Sequence, residues 1–243
     1  MSLGKYVEIE ESLGVATLFL NRPQRLNAVN AELVDDLLAA LETVEEMGAR
    51  AIVLAGRGRA FCAGHDLKED LSGETEAEAT ARLSRLQDVT RELRRLNVPV
   101  VAAVHGHAIG AGAEFAIACD LVVAARGTRF RFPEVSLGLS ITNGATWLLP
   151  ATVGALRAKQ LVLFGDPLGA DDALSMGLVN AVVDPDEVLK RAQEWALRLA
   201  GQPPAALAMT KRALSGACDN GLEAALRLEV EHALKTAHTG ERV

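Results

Sequence analysis

Apolar and polar positions alternate over Lys5–Glu10 and Gly14–Leu20, which predicts two strands closed as a hairpin. The period then lengthens. Leu33, Leu37, Leu41 and Val44 recur at helical spacing behind Asn30, whose side chain can cap the first turn of a helix running to about Glu46. Ala51–Ala55 is a short unbroken apolar run, the pattern of a strand covered on both faces. A glycine-rich loop from Gly56 to Asp66 follows, then a charged, sparsely apolar stretch from Lys68 to Thr80 that is expected to be mobile. Leu83, Leu86, Leu93 and Leu96 predict a second helix up to Asn97, stopped by Val98-Pro99. Val100–Val104 reads as a second buried strand.

The second half continues the pattern. His105–Gly112 reads as a turn, Ala113–Cys119 as a short apolar helix, and Leu121–Ala125 and Thr128–Phe132 as strands. Beyond Ala155 the periodicity turns mostly helical, over Ala170–Met176, Glu187–Ala200, Pro204–Ser215 and Leu222–Ala237. Strand–helix alternation argues an α/β fold. The pattern changes near Gly169 or Gly201, and no internal repeat or low-complexity linker is present.

Composition narrows the function classes. Of the 243 residues, 49% are hydrophobic and 23% charged, the balance of an ordinary globular protein. The net charge is -7, and six Phe, two Trp and one Tyr leave few stacking platforms, so nucleic acid is not an expected partner. Cys62, Cys119 and Cys218 are far apart and form no CxxC pair, which argues for a reducing, cytoplasmic setting and against a thiolate metal site. Val135 to Leu156 carries no charge, but its Ser, Thr, Asn, Gly and Pro residues argue against a membrane-spanning helix.

Candidate chemistry gathers between Val98 and Leu149. Glu114 stands alone in a run of small and apolar residues, where a carboxylate is rarely buried unless something answers it. It either reaches solvent or an arginine, or it works. Glu134 follows 20 positions later behind Pro133, and alone reads as a loop carboxylate. Two carboxylates converging on one apolar pocket would suit paired acid and base chemistry, but spacing does not show convergence. Gly64 and Gly110-Ala111-Gly112 either make tight turns or let backbone N–H groups approach a ligand closely. Other motifs are lacking. The histidines form no HExxH pair, the glycines no GxGxxG, and the serines no GxSxG elbow.

Several blocks in order carry a resemblance: Asn21-Arg22-Pro23 with Asn27-Ala28, Ala60 to Leu67, Val98 to Asp120, Phe132-Pro133-Glu134, and Ala170 to Val183. Together they resemble the enoyl-CoA hydratase/isomerase (crotonase) family. The resemblance implies a crotonase-like spiral of ββα units over residues 1–183. It implies a helical C-terminal trimerisation part over 184–243, and a homotrimer or dimer of trimers. It implies an acyl-CoA thioester substrate and no metal or redox cofactor. By position, Glu114 and Glu134 are the catalytic pair, with Glu114 cast as base and Glu134 as acid. The backbone N–H groups of His65 and Ala111 form the oxyanion hole, and CoA runs past Arg25, Ala28, Ala63, Asp66 and Leu67. For the CoA phosphates the candidate cations are Arg22, Arg25, Arg57, Arg59 and Lys68.

The expected activity is hydration of a 2-enoyl-CoA to a 3-hydroxyacyl-CoA. An enoyl-CoA isomerase, which needs one carboxylate, and a non-catalytic acyl-CoA-binding module are the rivals; a nicotinamide-dependent reductase is a more distant one. Leu139 to Ala145 lacks the Pro-Gly-rich wording that hydratases of the family carry after the second glutamate.

Overall fold

A computed structural model of the chain describes residues 4–69 and 73–216. Strands β1 (Val7–Ser12) and β2 (Val15–Leu20) form the predicted antiparallel hairpin. β2 then pairs in parallel with β3 (Ala51–Gly56), β3 with β4 (Val100–Val104), β4 with β6 (Leu121–Ala125), and β6 with β9 (Ala181–Val183), giving one six-stranded sheet. The two faces of this sheet feed two apolar layers. Leu18, Leu20, Ile52, Leu54, Ala102 and Val104 face one layer, while Phe19, Val53, Ala55, Val101 and Ala103 face the other. That period of two is the pleat expressed as burial.

The first layer is filled by α1 (Ala31–Glu46), α2 (Glu76–Arg95) and α3 (Ala111–Ala118). Asn30 caps α1 by accepting the Leu33 N–H, as its position predicts. The second layer is closed by α7 (Val188–Ala200), whose Val188, Ala192, Ala196 and Ala200 lie against the sheet. A further helical stretch, 204–216, is tied down by Lys211, which donates to Leu93 O and Val98 O and pairs with Asp120 at 2.8 Å. The helix expected over Leu222–Ala237 lies outside the described residues.

Two expectations need correction. The charged stretch Lys68–Thr80 is helical from Glu76, because Thr75 and Glu78 form a reciprocal capping box that starts α2 a full turn before its apolar stripe begins. His105–Gly112 is not only a turn: it holds β5 (His107–Ile109), which pairs in parallel with β7 (Arg129–Arg131). β7 in turn pairs antiparallel with β8 (Leu168–Gly169), making a second, small sheet. β7 falls within the strand expected over Thr128–Phe132, but β5 and β8 are too short to show a period, so tertiary pairing alone defines those two. As its polar and helix-breaking residues predict, the uncharged run from Val135 does not form one long helix: it breaks into a 3-10 turn (Glu134–Leu137), α4 (Ala145–Val153) and α5 (Ala155–Phe164), with Gly154 at φ +82° between the two helices. No helix among the described residues is long and apolar enough to cross a membrane.

Candidate active site

Three chain segments run side by side in parallel and end together. The glycine loop bonds to β5 through Cys62 N to His107 O and Ile109 N to Cys62 O. β5 bonds to β7, with Gly110 N donating to Arg131 O. Past their C-terminal ends lie Gly64 and His65 from the loop, Gly110 and Ala111 after β5, and Glu134 after β7. The carboxyl ends of parallel strands form a crevice of this kind where ligands commonly sit. The small sheet is therefore what brings Glu134 to the first turns of α3.

Glu114 lies on α3 and is fully buried. Its Oε1 accepts the Thr142 N–H at 3.0 Å, and its Oε2 accepts Thr142 Oγ1 at 3.2 Å and Asn143 Nδ2 at 2.7 Å. Burial pushes the Glu114 pKa above the usual carboxylate range, and the three donors pull against that rise.

Glu134 opens the 3-10 turn and is 9% exposed. Its Oε2 is buried with no hydrogen-bond partner among the described residues, and its Oε1 lies so close to Gly110 that a Cβ there would meet it at 2.7 Å. Burial raises the Glu134 pKa to about 7, against a bond from its own backbone N–H, and the nearby Glu114 charge adds to the rise. Glu134 Oε1 reaches Gly110, and the Glu114 N–H donates to Gly110 O at 2.9 Å, so both residues abut the start of α3. The two carboxyls thus differ in support: three donors favour the ionised form of Glu114, and no side chain does so for Glu134.

Two backbone donors face the same crevice. Val29 N donates to Gly64 O and Asp66 N donates to Val29 O, so the bridge to Val29 uses the groups flanking His65 and leaves the His65 N–H on the other side. Ala111 is the first residue of α3, where an N–H has no intrahelical acceptor. Neither N–H donates to a partner among the described residues. Gly64 sits at φ +87°, and a Cβ there would strike Ile109 O at 2.7 Å and approach Ala111 N at 3.8 Å, so only glycine lets the two segments come this close. The His65 imidazole borders a cavity of about 150 Å³ between α1 and α2, beside Val29, Val34, Leu86 and Arg82. Burial and then the Arg82 charge push the His65 pKa down, which favours the neutral ring.

The residues expected to border CoA divide into two kinds. Asp66 is committed within the protein: it pairs with Arg22 at 2.8 Å, and Arg22 also donates to Ala28 O. Burial opposes ionisation of Asp66, but the Arg22 guanidinium and the Lys68 N–H outweigh it and hold the carboxyl below its usual range. Arg57 is likewise paired with Glu8 and Glu10 and stacked over Phe19. Those pairs leave Arg25, Arg59 and Lys68, all exposed and without an ion-pair partner among the described residues, as the cations open to a phosphate. Ala63 N donates to Leu26 O, Ala28 is buried, and Leu67 is 74% exposed. Cys62 is fully buried, and burial pushes its thiol up to about 12, which leaves it inert.

Thr142 and Asn143 were not among the expected site residues. The available signal was a polar pair, Thr142-Asn143, inside an otherwise apolar run, followed by a glycine.

Comparison with known proteins identifies the family and the fold. The sequence model of the family described as enoyl-CoA hydratase/isomerase matches residues 10–242. The 1,2-epoxyphenylacetyl-CoA isomerase of Escherichia coli (strain K12) is 40% identical over 223 residues, covering 90% of this chain and 85% of the relative. The short-chain-enoyl-CoA hydratase of Clostridium acetobutylicum is 36% identical over 228 residues, covering 93% of this chain and 87% of the relative. The crystal structure of an enoyl-CoA hydratase from Bacillus anthracis superposes with a TM-score of 0.93 at 31% identity, covering 98% of this chain and 93% of that one.

Proposed function

The chain belongs to the enoyl-CoA hydratase/isomerase family and has its crotonase fold, and on that premise we propose that it adds water across the double bond of a 2-enoyl-CoA thioester. The thioester oxygen sits between the His65 and Ala111 N–H groups. Glu114 takes a proton from water, and the resulting oxygen nucleophile bonds to C3. The double-bond electrons move toward the carbonyl and form an enolate, whose charge rests on the two backbone donors. Glu134 then gives its proton to C2, and the product is a 3-hydroxyacyl-CoA. The scheme uses no metal or redox cofactor. Fixed N–H donors act where the charge develops, and each is worth about 3 kcal/mol of barrier.

One observation carries the reading: two carboxylates in one crevice, one held by three donors and one with an unpartnered oxygen and a pKa of about 7. Hydration needs a base and an acid at once, and this pair supplies both in the right protonation states. Arg25, Arg59 and Lys68 are the cations we assign to the CoA phosphates, with Ala28, Ala63, Asp66 and Leu67 along the CoA path. We also infer a cytoplasmic homotrimer, or a dimer of trimers; a monomer at micromolar concentration would contradict that assembly.

A second reading, movement of a double bond within the acyl chain, is favoured by a 35% identical relative from Mycosarcoma maydis that is named an enoyl-CoA isomerase/hydratase. The test is loss of the conjugated enoyl-thioester absorbance of crotonyl-CoA. Rapid loss by the parent protein, reduced by at least about a hundredfold in Glu114→Gln and in Glu134→Gln, is the expected result. No loss with crotonyl-CoA, but conversion of a 3-enoyl-CoA to its conjugated isomer, would replace hydration by isomerisation.

A further inference from the structure

We propose that Thr142 and Asn143 are positioning residues for Glu114, fixing which of its oxygens takes the proton. This rests on the hydration reading above, in which Glu114 is the base. A carboxylate offers about four lone pairs, two on each oxygen. Oε2 receives both Thr142 Oγ1 and Asn143 Nδ2 and is filled, while Oε1 receives only the Thr142 N–H. Oε1 is therefore the oxygen with room for a proton from water.

The local backbone is built around this grip. Asn143 is fully buried and sits at φ +50°, a left-handed conformation that asparagine tolerates better than most residues. Its Oδ1 has no hydrogen-bond partner among the described residues. Turning the amide over would point that oxygen at the Glu114 carboxylate, so the observed orientation is the one the charge dictates. The protein keeps an unsatisfied buried amide oxygen and a left-handed backbone at Asn143, and one amide N–H is aimed at Glu114. The titratable groups facing Glu114 are Glu134 from the 3-10 turn and the neutral Cys62 thiol from the glycine loop. The helices packed on α3, α2 and α4, contribute Leu93, Leu148 and Leu149 to the same apolar core as α3.

Three variants separate positioning from folding. Asn143→Gly keeps the left-handed backbone and removes the amide. Thr142→Val removes the hydroxyl and keeps the N–H, and Thr142→Ser keeps both. We expect kcat for hydration to fall about tenfold in Asn143→Gly and several-fold in Thr142→Val, with KM within about twofold. The acid limb of kcat/KM should move up by about one pH unit in Asn143→Gly, because a donor to the ionised form is gone. Thr142→Ser should restore the parent profile.

An infrared titration of the Glu114 carboxyl, assigned with Glu114→Gln, needs no substrate and should show the same upward shift. That measurement keeps the inference testable even if crotonyl-CoA is not hydrated, an outcome that would sink the hydration reading alone. An unmoved Glu114 titration in Asn143→Gly, or a fall in kcat with no movement of the acid limb, would overturn the positioning role.

Discussion

Glu114 and Glu134 carry the same functional group in one crevice and stand in opposite surroundings. Glu114 is on a helix, fully buried, with three donors on its two oxygens. Glu134 is on a 3-10 turn with one buried oxygen left without a donor. Burial raises both pKa values, but only at Glu114 do side chains from another segment pull back toward the anion. In the proposed hydration, residue type therefore does not separate acid from base. The donors each carboxyl meets separate them, and those of Glu114 come from a loop 28 and 29 positions away.

The largest expected effect comes from moving one partner and leaving the other. Gly110→Ala places a Cβ 2.7 Å from Glu134 Oε1, at a backbone φ of +49°. Glu134 has to shift, and hydration should fall about hundredfold while the Glu114 titration stays put. Retained activity would mean that the place of Glu134 is not critical, and the contrast would lose its functional meaning.

Stability should separate the two next. Glu114→Gln removes the anion from three donors and brings an amide toward Asn143 Nδ2, for a loss of about 1–3 kcal/mol. Glu134→Gln removes an ill-served buried carboxyl and should leave stability unchanged near pH 4 and raise it at neutral pH. Urea denaturation midpoints measure both, and equal losses would break the comparison.

The smallest effect is a shift in pH dependence. The pKa of Glu134 is raised from 4.5 to about 7 in the folded chain, so between those values the folded state binds the extra proton. Stability should therefore fall as pH rises through that window, and the basic limb of kcat/KM should lie near pH 7. In Glu114→Gln the like charge is gone, so Glu134 should titrate lower and the window should narrow from its upper end. Denaturation at pH 5 and pH 8 shows this; an unchanged window would mean that the two carboxyls are not coupled.

Much of the frame is legible along the chain. The hairpin, α1 behind its Asn30 cap, β3, β4 and β6 all follow from local period and composition, because each buries its own repeating face. Glu114 stands out because a charge amid small apolar residues demands an explanation. The start of α2 is visible only to a reader who weighs Thr75 and Glu78 as a cap above the scarcity of apolar residues. Arg22 reads as a surface cation until its pairing with Asp66 and Ala28 O is seen, a pairing that spans 44 positions.

The sequence by itself determined the α/β layering, the two carboxylates and the glycines that allow close approach. Periodicity and residue chemistry are local properties, written within a few residues. Tertiary structure alone decided that Glu114 and Glu134 meet, that the His65 and Ala111 N–H groups face one crevice, and that Thr142 and Asn143 grip one carboxylate and not the other. The strands that arrange this are three residues long, and their pairing is fixed by hydrogen bonds to distant segments. A carboxyl's charge at neutral pH depends on the donors and dielectric that reach it across space, and neither is encoded at its own position.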